Sequence, residues 1–322
     1  MRESKSNGKH MNEVTRMSTP KSDLPVVVGV DRSDEAIQAL RFGLLEARSR
    51  ACGLLLVHTF AASTQNSYFS VDDVESMHAD GVSVLEEAVA ILGKEPGPAV
   101  PITTLLRQGP AGMILGDLSS RAQCIVVGRR NSGWGERLLT GSVSSRVSAK
   151  SQCAVVMVPH GWNIDAATMG PVVVAIDGKS SAYAALLYAF CAADQRQADL
   201  VVLHAAPTGE SKQDLTEQDV EVAEVLAGWR SEFPDVAVTT SIVHMKATLA
   251  CENASRDASL LVLGRSSDRH LLPWTRTVAH AVLKNARCPI VTVPLPGAAS
   301  RDNLVPGVSA ADVSHSLRIG TY

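Results

Sequence analysis

Short runs of aliphatic and β-branched residues recur along the chain, and most are followed by segments whose apolar positions repeat with a helical period. The runs lack polar alternation, as is typical of strands buried on both faces of a parallel sheet. The predicted strands cover residues 25–30, 53–59, 100–106, 123–127 and 153–158, and again 171–176, 199–205, 236–243, 259–263 and 289–293. With helices between them, each set of five predicts a doubly wound α/β sheet.

The first two predicted helices have clear apolar faces. The first begins after Ser33, a good N-cap residue, and carries Ile37, Leu40 and Leu44 on one side. On the second helix the apolar face consists of Val74, Met77, Gly81, Leu85, Ala88 and Leu92. Both helices are therefore expected to cover the sheet.

The two halves of the chain repeat the same order of motifs. Asp31 closes the run VVVGVD, and Asp177 closes the similar run VVVAID. His58 and His204 likewise each follow an apolar strand. A repeat of this length predicts two duplicated domains rather than an array of short repeats.

The expected boundaries follow from this repeat and from composition. They are a disordered tail over 1–22, a first domain over 23–160, a linker over 161–169, a second domain over 170–296 and a C-terminal tail over 297–322.

Composition and charge exclude several classes of function. A formal net charge of −3 without a Lys/Arg run argues against nucleic-acid binding. No apolar run reaches the roughly 18 residues that span a bilayer, and the polar N-terminus is no secretory signal, so we expect a cytoplasmic protein. The six scattered cysteines form no CxxC motif and are expected to be reduced, buried hydrophobes without a metal.

The segment 128–143 carries the chemistry. It places a glycine-rich loop between the fourth strand and a helix that begins at Val143. Glycines let backbone amides approach an anion, and first-turn amides of a helix point outward as donors. Arg129, Arg130 and Arg137 are expected to add positive charge around the loop. The pattern indicates a phosphate site that favours a triphosphate.

Two better-known phosphate motifs do not fit this chain. Gly178-Lys179-Ser180 resembles the end of a Walker A loop, but Val173 stands where that loop needs its first glycine. A Rossmann fingerprint would follow the first strand, whereas these glycines follow the fourth.

The chain resembles tandem universal stress proteins over about residues 25–160 and 170–296. The nucleotide motif of that family is Gly, two residues, Gly, nine residues, Gly, then Ser or Thr. Gly128, Gly141 and Ser142 match it, and Asn131 replaces the second glycine. Asn tolerates left-handed backbone angles, so the loop can still form. The resemblance further implies that Asp31 lies near the adenine or ribose, and that Val57 lines the adenine pocket.

The second domain departs further from the same motif. Its matching positions are Gly264, Ser267, Thr277 and Val278, and only the first is retained. Thr277 places a branched side chain where the motif needs bare backbone, although Arg265 and neighbouring arginines keep a weaker anion site open. We expect a degenerate second site.

Four polar positions beside the strands have competing interpretations. For Asp31, ligand contact is favoured over helix capping, and for Asp177 capping is favoured. The histidines that end strands, His58 and His204, are interpreted as hydrogen-bonded structural residues. No nucleophile, base and orienting group can be assembled from the sequence.

The closing strands, near 153–158 and 289–293, are expected at sheet edges that need covering. Antiparallel pairing of the two would cover both. The resemblance implies such pairing between subunits, so a tandem chain can form a pseudo-dimer within itself, and two chains could associate further.

The leading hypothesis is a cytoplasmic stress-response regulator that binds ATP, with or without Mg²⁺, in its first domain and modulates a protein partner. Turnover would be slow or absent. One alternative is a slow Mg²⁺-dependent ATP hydrolase or nucleotidyl transferase. The other is an interaction scaffold that binds no nucleotide, which Asn131 and the altered second domain leave open.

Overall fold

The protein is seen in a computed structural model that describes residues 24–60, 71–129, 143–164, 170–176, 182–206, 226–265 and 278–294. The first half contributes strands β1 to β5, which are Val26–Gly29, Leu54–Phe60, Ile102–Gln108, Cys124–Gly128 and Ala154–Val158. The second half contributes β6 to β10, which are Val172–Ile176, Leu200–Ala206, Val238–His244, Leu260–Gly264 and Ile290–Val293. All ten predicted strands are confirmed, and their ends shift by two residues at most.

The helices alternate with these strands. Those of the first half are α1 Asp34–Ser49, α2 Val71–Leu92, α3 Ala111–Leu118 and α4 Val143–Lys150, with a 3₁₀ turn at Ser119–Arg121. Those of the second half are α5 Ala182–Arg196, α6 Ala247–Ala254 and α7 Val278–Val282, and residues 226–232 are also helical.

The N-terminus of α1 forms as the sequence predicts. Ser33 is the N-cap, and its side chain accepts a hydrogen bond from the backbone N–H of Ala36 at 3.3 Å. Leu40 and Leu44 are buried against the sheet, and Ile37 is half-buried. Capping and burial together fix where α1 begins and which side faces inward.

A single ten-stranded sheet runs through both halves, in the order β3-β2-β1-β4-β5-β10-β9-β6-β7-β8. Every pairing within a half is parallel. The two halves meet where β5 and β10 pair antiparallel, with Val156 opposite Val291. The predicted intrachain pairing of the closing strands is therefore confirmed. Each closing strand covers the edge that the other would expose.

The hydrophobic core has two layers, one on each face of the sheet, and both cross the junction. One layer lies under α1, α2, α5 and residues 226–232, and the other under α3, α4, α6 and α7. Alternate residues of each strand serve opposite faces, as with Val26 and Val27. The two halves thus share one continuous core on each side.

The junction also holds a buried polar cluster between α1 and α5. The carboxylate of Glu46 accepts hydrogen bonds from Arg50 Nε and Nη2 at 3.0 and 2.9 Å, and a further one from Arg196. Arg50 Nη2 also donates to the Tyr188 hydroxyl at 2.9 Å. Glu46 and Arg50 are almost fully buried, and Arg196 is partly exposed. Charged hydrogen bonds therefore join the halves on this face.

All six cysteines are free, and five of them are buried. Burial raises the pKa of the thiols, to about 11 for Cys153 and to about 12 for Cys288. The prediction of buried cysteines is confirmed for these five, and Cys52 is half-buried. A thiol that is protonated at neutral pH is a poor nucleophile and a poor metal ligand.

Candidate functional site

The site predicted in the first half centres on a break in strand order. Within the sheet, β2 and β3 lie on one side of β1, and β4 and β5 lie on its other side. β1 and β4 are parallel neighbours, so their carboxyl ends lie side by side. Asp31 follows β1, and Gly128 ends β4. Open α/β sheets bind ligands at such switch points.

Asp31 supports the start of α1 from a position two residues before the N-cap Ser33. Its Oδ1 accepts hydrogen bonds from the backbone N–H of Ser33 at 2.9 Å and from the Ser33 hydroxyl. That hydroxyl in turn accepts from Ala36 N. Asp31 is half-buried at the carboxyl edge of the sheet. Its conformation is thus fixed by the cap, while its role toward a ligand stays a prediction.

Val57 and His58 lie on β2, next to β1. The Val57 side chain is 2% exposed and belongs to the core layer that contains Val27 and Leu115. His58 Nδ1 lies 2.7 Å from the carbonyl oxygen of Val30. In the second half, His204 Nδ1 lies 3.3 Å from the carbonyl oxygen of Ile176. The predicted hydrogen bonding of both histidines is therefore confirmed, and their structural role stays an interpretation.

Gly128 is required by packing, which the sequence did not reveal. A Cβ placed on Gly128 would lie 2.4 Å from the Glu35 carbonyl oxygen and 2.9 Å from the Ala36 nitrogen. Only glycine lets the first turn of α1 approach the end of β4 this closely. The side chain of Glu35 also lies 2.6 Å from His160 Nδ1, beyond the end of β5. The ends of β4 and β5 and the start of α1 therefore form one compact corner.

Arg129, which directly follows β4, makes a contact with the second half of the chain. Its guanidinium crosses the junction and donates to the carbonyl oxygen of Leu283, just after α7. Arg265 does the reverse from the second half and donates to carbonyl oxygens at the end of α4. Burial lowers the pKa of both arginines. Each guanidinium therefore bonds carbonyl acceptors of the opposite half, and the contribution of its charge to a phosphate loop stays a prediction.

The rest of the predicted phosphate loop lies outside the described residues. These positions are Arg130, Asn131, Arg137, Gly141 and Ser142 in the first half, and Ser267 and Thr277 in the second. Asp177, predicted to cap a helix, also lies outside the described residues. The helix that the sequence places after the loop does begin at Val143, whose side chain is exposed. The corresponding residue of the second half, Val278, begins the five-residue helix α7.

The sequence profile of the universal stress protein family matches residues 24–159 and 169–294. The chain belongs to this family. A universal stress protein of Mycobacterium tuberculosis strain H37Rv is 30% identical over 299 residues, which cover 85% of this chain and 98% of that protein. A universal stress protein of Mycolicibacterium smegmatis is 29% identical over 257 residues, covering 74% and 86% respectively.

A solved structure shows the same fold. It is a universal stress protein from Archaeoglobus fulgidus, with a TM-score of 0.68 and 17% identity, and the match covers 85% of this chain and 97% of that one. Together these matches confirm the predicted fold, two tandem universal stress protein domains of α/β class.

Two further features of this universal stress protein concern metals and membranes. In the residues that the structure describes, no group of three or more His, Cys, Asp or Glu side chains could hold a metal ion. Across the same residues, no helix is long and apolar enough to cross a membrane.

Sequence reasoning missed the residues that connect the halves of this universal stress protein. Glu46 on α1 and Arg50, the C-cap residue of that helix, stand four apart beside buried residues such as Phe42 and Ala47. A charged pair on the apolar side of a helix signals a buried partner element, and that signal was available. The identity of the partners, Tyr188 and Arg196, could not have been found from local pattern.

Proposed function

We propose that this universal stress protein binds ATP in its first half and acts as a stress-response regulator in the cytoplasm. The observation that carries the proposal is the juxtaposition at the switch point. Asp31 and Gly128 lie at the carboxyl ends of adjacent strands, and α4 begins directly after Gly141-Ser142. This combination offers a carboxylate for a ribose or base and helix-terminal amides for phosphate.

Each group at this site suits one part of a nucleotide. In this proposal Asp31 accepts hydrogen bonds from the nucleoside, and Val57 borders the adenine on β2. Gly128, Asn131 and Gly141 shape the loop, while Ser142 and the N–H of Val143 donate to phosphate. Any Mg²⁺ would be held largely by the phosphates, because Mg²⁺ commonly combines substrate phosphates with few protein carboxylates. A change in bound nucleotide would then alter the surface offered to a protein partner.

We expect Gly141→Val to weaken ATP binding at least about a hundredfold. A branched side chain would fill the space of a phosphate, and loss of two charged hydrogen bonds at about 1.5 to 3 kcal/mol each accounts for that factor. Isothermal titration calorimetry on the full chain measures it.

Gly228→Val is the matched control for this substitution. Gly228 lies exposed in the helical residues 226–232, and a Cβ there would meet no described residue within 4 Å. This variant should bind ATP like the wild type. A folded Gly141→Val protein with unchanged affinity would refute the phosphate assignment.

We expect one ATP per chain. The first half retains Gly128, Gly141 and Ser142, whereas the second places Thr277 and Val278 at the phosphate end. Asp31→Ala should weaken binding and, through the lost support of the α1 cap, cost about 1 kcal/mol of folding stability. Asp177→Ala should leave the affinity unchanged. Two equivalent sites by calorimetry, or loss of binding in Asp177→Ala alone, would contradict the assignment.

A further inference from the structure

Arg265, in the second half of the chain, donates hydrogen bonds to the carbonyl end of α4 in the first half. Its Nη1 lies 2.8 Å from the carbonyl oxygen of Ser151, 3.1 Å from that of Ser148 and 3.4 Å from that of Ala149. These carbonyls terminate α4, where an α-helix leaves its last four C=O groups without intrahelical partners. The Arg265 backbone is itself fixed, because its N–H donates to Val293 on β10 at 2.8 Å.

The contact places a cation where the helix dipole favours one. A positive charge at a helix C-terminus is stabilising, and more so when it is partly buried and hydrogen-bonded to the terminal carbonyls. A second contact across the junction lies beside it, since the Ser148 hydroxyl is 2.8 Å from the Thr292 hydroxyl on β10. The C-terminal end of α4 is therefore anchored in the second half of the chain.

α4 depends on such anchors because it is short. It has eight residues, from Val143 to Lys150, and isolated helices below about 12 residues are marginal in water. Its own half contributes the burial of Val147 and the contact of Arg146 with Gly112. If the carbonyl end frays, the first-turn amides at Val143 lose their fixed direction, since the helix spans only about 12 Å.

We propose that Arg265 is a positioning residue for the nucleotide site of the first half: by gripping the carbonyl end of α4 it holds the amide end in place for phosphate. The inference rests on the proposed function. It gives the second half, whose own motif is altered, a role in binding at the first. The second half of the chain is thereby coupled to the nucleotide site through α4, because Arg265 contacts the carbonyl end of this helix and the phosphate site lies at its amide end.

The test compares ATP affinity by calorimetry in the full-length chain. Arg265→Ala should raise Kd about three- to tenfold, because the charged hydrogen bonds act on phosphate binding only through α4. Arg265→Lys keeps the cation but not the fork of donors, so it should recover part of the affinity. Arg256→Ala is the matched control, since it removes the same charge from an exposed position of the second half and should bind like the wild type.

Hydrogen exchange without nucleotide supplies the second readout. Arg265→Ala should speed exchange in α4 and Ser151 about tenfold while the β4 and β9 amides keep their protection. Faster exchange throughout the chain would assign Arg265 to general stability and overturn the positioning role. If the wild type binds ATP and Arg265→Ala binds it with the same affinity, the positioning role is refuted and the proposed function is not. Failure of the wild type to bind ATP would refute the proposed function, and the positioning role with it.

Discussion

Glu46→Gln is expected to destabilise the protein by about 3 to 5 kcal/mol, the cost of leaving buried charges without their counter-ion. Arg50 is 3% exposed and faces Glu46 and Tyr188, so its charge cannot reach water when the carboxylate is removed. Arg196 approaches from α5 and would lose its partner across the junction. Chemical denaturation followed by circular dichroism measures the loss.

A double substitution is the matched control. Glu46→Leu combined with Arg50→Met removes both buried charges and replaces them with apolar groups of similar length. Such replacements are often neutral or stabilising, so the double variant should be much more stable than Glu46→Gln. A Glu46→Gln protein within about 0.5 kcal/mol of the wild type would show that the cluster is solvated.

The same cluster predicts a dependence of stability on pH. Burial opposes ionisation of Glu46, but the charges of Arg196 and Arg50 outweigh it and hold the pKa below its usual 4.5. A carboxyl whose folded pKa is depressed stabilises the fold above its unfolded pKa and loses that contribution as pH falls through the folded pKa. The stability difference between wild type and Glu46→Gln should therefore be full at pH 7 and shrink below about pH 4.5. A difference that grows on acidification would contradict this.

Gly128→Ala is expected to cost about 3 kcal/mol of folding stability. The added methyl would lie 2.4 Å from the carbonyl oxygen of Glu35, and backbone atoms of a capped helix cannot move aside as a flexible side chain can. The start of α1 would have to shift away from β4. Thermal and denaturant unfolding of the purified variant measure the loss.

The control for Gly128→Ala is the same substitution at Gly228. That glycine is exposed on a helix, and none of the described residues would contact an added methyl, so alanine should stabilise the protein by up to about 1 kcal/mol. Opposite signs for one chemical change would show that the effect comes from the contact with α1. A neutral Gly128→Ala variant would mean that α1 can retreat without cost.

The sheet could be predicted from sequence because its strands are buried on both faces. Unbroken runs such as Cys124–Gly128 and Leu260–Gly264 admit few other interpretations when helical segments separate them. The pairing of β5 with β10 was predicted from the need to cover two apolar edges, together with the resemblance to universal stress proteins. The strands themselves depend only on properties that each segment carries by itself.

The contacts of the junction could not be predicted in this way. The ion pair of Glu46 with Arg196 joins residues 150 positions apart, and Arg129 and Arg265 gave no sign that their acceptors were carbonyls of the opposite half. An arginine beside a glycine-rich loop has the same local sequence whether it binds phosphate or caps a helix. Only the meeting of the two halves distinguishes these roles.

Gly128 shows a similar ambiguity within the candidate site. Its sequence context predicts bare backbone for a phosphate, and the structure shows bare backbone against α1. The two demands are compatible, since one glycine can satisfy both. The assignments of Asn131, Gly141 and Ser142 to a ligand rest on the motif and stay predictions.

The antiparallel joint between β5 and β10 has an evolutionary consequence. In a symmetric pair of identical chains, every substitution appears on both sides of the joint at once, so neither side can change alone. Here the joint pairs Ala154–Val158 with Ile290–Val293, two stretches encoded separately. One half can therefore accumulate substitutions that remove a ligand site while the other half retains its own site. The covalent link keeps the two halves in a one-to-one ratio.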